Sequence, residues 1–112
     1  MKYLIPTCLA VAAATFAAPV LADANLDLAK SKQCTGCHAP EQDTLAPSFK
    51  NIAAKYRDRP NAADALVATV LKGSKDQGGN HWGTMKMPSV GARVELSQAE
   101  AKQLVAWILA QP

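Results

Sequence analysis

Aromatic side chains make up only 5% of this 112-residue chain, a small supply for a large core. Cysteines number three, and Cys8 lies in an N-terminal apolar run. Only Cys34 and Cys37 remain for the folded part, so no independent structural disulfide is available to a domain of a size that often needs staples. No run of Lys and Arg interleaved with aromatics appears, and the net charge is a mild +3, which argues against a nucleic-acid binder. No stretch alternates polar and apolar residues over a useful length, which argues against a sheet. Internal repeats are absent, and low complexity is confined to the Ala-rich start.

That start reads as a secretory signal. Lys2 supplies a positive n-region, Leu4 to Ala18 an apolar run, and Pro19 breaks it. Val20-Leu21-Ala22 then resembles a small-residue cleavage site, with Ala22-Asp23-Ala24 as a competitor two residues on. The run is too short and too Ala-rich for a membrane anchor. The expected organisation is a cleaved signal over residues 1–22 and one domain over residues 23–112. Losing Lys2 takes the net charge to +2.

The densest chemistry lies in Cys34-Thr35-Gly36-Cys37-His38. This C-x-x-C-H run is the attachment signature of a c-type haem. Two thiols three apart on a helical turn can face one edge of a porphyrin and add across its vinyl groups, leaving thioether links. His38 follows directly and can reach the iron from one side. A dithiol redox pair would belong beside a βαβ pattern, and none exists. A structural zinc site would need further ligands at sensible spacing, and Met85, Met87 and His81 are not a zinc set. One haem c per chain is therefore expected, held through Cys34 and Cys37. Because c-type haem is attached outside the bacterial cytoplasm, motif and signal agree on the periplasm.

Periodicity predicts four short helices. The first spans about Leu26 to Lys32, with Asn25 as N-cap and Leu28 inward. The second follows Pro47, with Phe49, Ile52, Ala53 and Tyr56 at helical spacing, and Pro60 closes it. The third starts at Asn61, carries Asp64 in its first turn and Leu66, Val67, Val70 and Leu71 on its apolar face, and ends at Gly73. In the fourth, Ser97 and Glu100 make a capping box ahead of Ala101, Leu104, Val105, Trp107 and Ile108. From Gly73 to Leu96 the chain is punctuated by glycines and a proline and lacks periodicity. A loop that long in a compact domain points to function.

The second axial position has three protein candidates, all in that loop: Met85, Met87 and His81. A thioether favours ferrous iron and raises the potential relative to two imidazoles. Pro88 restrains the backbone just after Met87, which favours that residue. Met85 lies two residues earlier without that restraint, and His81, beside Gly and Asn, reads as an exposed loop imidazole. An open or water-filled site is the remaining alternative.

Together these residues resemble the short bacterial class I monohaem cytochromes c of the c-551/c-552 type. The likeness rests on a short helix leading into Cys34–His38, then on Ala46-Pro47 before Phe49-Lys50-Asn51-Ile52-Ala53 and on Leu71-Lys72-Gly73-Ser74. It continues through Trp82-Gly83, Met87-Pro88 and Ala106-Trp107-Ile108-Leu109. It implies an all-α class I cytochrome c fold of four or five short helices around the haem. It also implies that the Pro47 carbonyl accepts a hydrogen bond from the other nitrogen of His38, and that the Trp82 indole N–H meets a haem propionate. Trp107 is expected to pack where the first and last helices cross.

The chain departs from the family in two places. Ser74 to His81 is longer than the usual turn, with Lys75-Asp76-Gln77-Gly78-Gly79 as extra length. Thr84, Met85 and Lys86 also stand where relatives tend to carry prolines. Fewer prolines widen the loop's ensemble, so a looser Met–iron bond is expected.

The function expected is a soluble, monomeric, periplasmic electron carrier, not an enzyme, cycling one haem between Fe(III) and Fe(II) with His38 and Met87 as ligands. Redox partners would dock weakly at an exposed haem edge, steered by Lys72, Lys75, Lys86 and Arg93. Two alternatives stand: a subunit held on a periplasmic dehydrogenase or reductase, and an open-site haem enzyme or sensor.

Overall fold

The computed structural model describes residues 12–14, 20–75 and 85–112. Among the described residues four helices run in the order α1 (Val20–Ser31), α2 (Phe49–Tyr56), α3 (Ala62–Lys72) and α4 (Gln98–Leu109). Short 3₁₀ turns lie at Cys34–Gly36 and Val90–Ala92, and the described residues contain no strand. No helix among them is long and apolar enough to cross a membrane.

The last helix organises the rest. The Ser97 hydroxyl accepts from the Glu100 N–H at 3.1 Å, and the Glu100 carboxylate accepts from the Ser97 N–H at 3.0 Å. This is the expected capping box, satisfying two orphan donors reciprocally. Ala101, Leu104 and Val105 are buried, and α4 packs against α1, α2 and α3. Phe49 and Val67 bring α2 and α3 into the same cluster, and Ala29 brings α1. The start of α4 is also tied to the end of α1. Lys32 Nζ lies 3.1 Å from Glu100 Oε2 and donates to the Glu95 carbonyl at 3.0 Å.

Two expected caps act differently from the reading above. Asn25 is inside α1, not at its start, and its Oδ1 accepts from Gln103 Nε2 of α4 at 3.0 Å. The Asn61 side chain caps nothing. The residue adopts a left-handed conformation (φ 59°), and its carbonyl accepts from the Ala65 N–H. Asn suits the position because it tolerates that conformation better than most residues do. The second helix stops at Tyr56, four residues before Pro60, so the proline does not itself terminate it.

The start of α2 shows how the loop after His38 is fixed. The Ser48 hydroxyl accepts from the Asn51 N–H at 3.0 Å. The Phe49 and Lys50 N–H groups donate back to the carbonyls of Ala39 and Pro40. Asp43 Oδ1 accepts from the Ser48 N–H at 2.7 Å and from Asn51 Nδ2 at 2.9 Å. These bonds favour the ionised carboxylate and hold its pKa below the ordinary value, the Ser48 backbone bond first. A depressed folded-state pKa contributes stability that is present above the unfolded value of about 4 and is lost as pH falls through the folded value. Asp43→Asn is therefore expected to flatten the acid limb of a thermal-stability profile below about pH 4. An unchanged acid limb would contradict this.

Candidate haem site

The attachment motif starts on a strained residue. Gln33, two residues past the end of α1 and at the cap of the following turn, adopts a left-handed conformation (φ 62°). Such a conformation costs a non-glycine residue about 1–2 kcal/mol. It turns the chain directly into the 3₁₀ turn Cys34–Gly36, where Cys37 and His38 donate their backbone N–H groups to the Cys34 carbonyl. Side chains three apart eclipse in a 3₁₀ turn, which puts the two thiols on one side. Both are free and half-buried. Burial raises the Cys34 pKa, with the nearby Arg93 charge opposing it, so the group stays a thiol at neutral pH.

His38 makes one informative contact. Its Nδ1 lies 2.6 Å from the Pro47 carbonyl oxygen, as the sequence resemblance implies. A carbonyl can only accept, so Nδ1 carries the proton and Nε2 keeps the lone pair that a metal requires. Burial lowers the His38 pKa, the Pro47 bond pushes it back up, and Arg93 lowers it further. The ring is therefore held neutral. It stacks on Phe49 at 5.7 Å, and Phe49 in turn meets Trp107 edge-on at 5.3 Å. The aromatic partner of Trp107 is thus on α2, and Trp107 packs against the core cluster that also holds Ala29 of α1.

Cys34, Cys37, His38 and Pro47 line a cleft with a cavity volume of about 140 Å³, widening to about 1110 Å³ of space with its open mouth. Its other walls are Leu66, Thr69 and Val70 of α3, Leu104, Val105 and Ile108 of α4, and Met85 to Pro88 of the last loop. Two thiols, a neutral imidazole and thioethers around an apolar cleft are the donor set a covalently held haem needs. The residues present fit that group.

The loop candidates separate. Met85 and Met87 both line the cleft, but Met85 is 52% exposed and Met87 is half-buried. Trp82 and His81 lie outside the described residues, as does most of the stretch Ser74 to His81. Arg93 also has a structural part. It is half-buried, with Nε donating to the Pro88 carbonyl at 3.2 Å and Nη2 to the Val70 carbonyl. Lys72, Lys75 and Lys86 remain exposed. Sequence reasoning missed the structural parts played by Ser48, Asp43 and Arg93. Only the Ser-x-x-Asn spacing of Ser48 and Asn51, just before an apolar period, offered a signal.

A small all-helical domain that offers a C-x-x-C-H turn and a ready imidazole to one apolar cleft is a haem protein of the c type. The cytochrome c family model matches residues 27–112, and the chain belongs to that family. It is 41% identical to a cytochrome c-552 of Nitrosomonas europaea, over 85% of this chain and 90% of the relative. It is also 41% identical to a cytochrome c-551 of Allochromatium vinosum, over 90% and 98%. The crystal structure of the wild-type Nitrosomonas europaea cytochrome c552 superposes with a TM-score of 0.67 at 38% identity, covering 78% of this chain and 99% of that one. A class 1 cytochrome of Sideroxydans lithotrophicus superposes with a TM-score of 0.61 at 26% identity. The fold is that of a cytochrome c, the chain carries one haem through Cys34 and Cys37, and its work is electron transfer, not catalysis.

Proposed function

We propose that this chain is a periplasmic electron carrier in which His38 and Met87 hold the two axial positions of the haem. The observation that carries the reading is the His38–Pro47 bond, which leaves Nε2 free in a cleft that Met87 also lines. When bound, the haem supplies an iron centre that changes by one electron. His38 keeps its Nδ1 proton on Pro47 in both oxidation states, so no proton has to move with the electron. Met87 supplies a soft sulfur that favours the reduced state. The apolar walls from α3 and α4 exclude water, which limits reorganisation around the site.

The mouth of the cleft supports weak docking of redox proteins. Leu45, 62% exposed, and Met85 line it, and Lys86 stands among them. Residues 1–22 are proposed to be a cleaved export signal. Cleavage after Ala22 or Ala24 would trim only the first turn or so of α1, leaving Ala29 in the core. Trp82 is proposed to donate its indole N–H to a haem propionate. A permanent place on a dehydrogenase or reductase would use the same chemistry, and co-purification at fixed stoichiometry in high salt would identify it.

Absorption spectra of both oxidation states with a redox titration test the reading. A sulfur-to-ferric-iron charge-transfer band and a single one-electron wave are expected. Rapid, stoichiometric carbon monoxide binding by the reduced protein would instead mark an open site and overturn it.

A further inference from the structure

Met87 is held by its backbone. The Ser74 hydroxyl accepts from the Met87 N–H at 2.9 Å, and the Met87 carbonyl accepts from the Ser74 N–H at 3.0 Å. Ser74 is only 5% exposed, so these bonds are shielded from competing water. The approach depends on Gly73, whose φ is +81°. A Cβ there would lie 2.7 Å from the Met87 oxygen and 2.9 Å from the Ser89 nitrogen. On the far side, Arg93 links the Pro88 carbonyl to the Val70 carbonyl near the end of α3. Met87 and Pro88 are thus fastened at three points to the C-terminal end of a helix whose own residues line the cleft.

We infer that Ser74 and Arg93 are positioning residues for the Met87 sulfur, supplying the restraint that prolines ahead of the ligand would otherwise give. The inference rests on Met87 being an axial ligand. The clamp opposes the looser Met–iron bond expected from Thr84, Met85 and Lys86. It acts at Met87 itself, where both backbone polar groups are fixed. Ligand exchange at the ferric iron requires the sulfur lone pair to leave and an incoming nitrogen lone pair to take its place, with no change of oxidation state. The clamp sets how often the sulfur leaves.

The test is imidazole binding to the ferric holoprotein, followed by stopped flow beside the charge-transfer band. The wild type is expected to bind imidazole slowly. Ser74→Ala leaves the part-buried Met87 N–H without its partner, and roughly tenfold faster binding is expected, with a weakened band. Ser74→Thr restores the hydroxyl and is expected to restore both readouts. Arg93→Lys, which cannot span two carbonyls in the same way, is expected to fall between. Should Arg93→Lys fail to fold, the serine pair carries the test alone. If Ser74→Ala matches wild type in both rate and band, the positioning role is wrong. Met87→Ala separates the two readings. Loss of the band there, with Ser74→Ala unchanged, overturns only the clamp, whereas a band that survives in Met87→Ala overturns the ligand assignment itself.

Discussion

Replacing Cys34 and Cys37 together with serine is expected to abolish covalent haem and, with it, much of the stability of the compact fold. The motif turn is held by backbone bonds to the Cys34 carbonyl, so the serine chain can still form the turn. What it loses is the permanent filling of the cleft. That cleft is lined by Phe49, Leu104 and Val105, which are also among the most deeply buried side chains of the domain. A void of 140 Å³ costs roughly 3 kcal/mol at about 24 cal/mol per Å³. A domain of this size has about 5–13 kcal/mol in total, and the wide mouth exposes further apolar wall to water. Haem staining after denaturing electrophoresis should be blank, and far-ultraviolet circular dichroism should show reduced helix. Haem that survives denaturation in this variant would refute the attachment.

The second large effect is at Met87. Met87→Ala is expected to keep the haem, because the thioether links and His38 are untouched. It should lose the sulfur charge-transfer band and bind carbon monoxide rapidly when reduced. Its reduction potential should fall by on the order of 100 mV or more, within the roughly 0.8 V that axial ligands span. Met85→Ala should do none of this. Met85 is half exposed at the cleft mouth, while Met87 has both backbone polar groups fixed by Ser74. A band lost in Met85→Ala and kept in Met87→Ala would reverse the assignment.

The elements legible in the sequence are those governed by local rules. The capping box of Ser97 and Glu100 starts α4 where a side chain and a backbone group three residues apart must pair, and the structure shows both bonds. The spacing of Phe49, Ile52, Ala53 and Tyr56 marks α2, and Gly73 marks the end of α3. The C-x-x-C-H turn is legible because the cofactor's chemistry requires adjacent donors.

What escaped was decided by partners far along the chain. Asn25 looks like a cap from its neighbours, yet its side chain answers to Gln103. Arg93 looks like surface charge, yet it closes on carbonyls at Val70 and Pro88. Ser74 belongs to a helix-end pattern that says nothing of the methionine 13 residues later. Such pairings depend on how the backbone returns, and local periodicity carries no record of it.

The central position of α4 has a consequence for how the molecule is made. Leu104 and Val105, nearly inaccessible, sit on α4, which packs against all three earlier helices, the first of which begins some eighty residues before them. A polypeptide emerging N-terminus first has no stable core until α4 has followed the other three helices. Its cysteine pair, by contrast, appears in the first third. The thiols are therefore presented on an open chain before the structure that encloses them can form, and losing α4 removes the element against which the other three described helices pack.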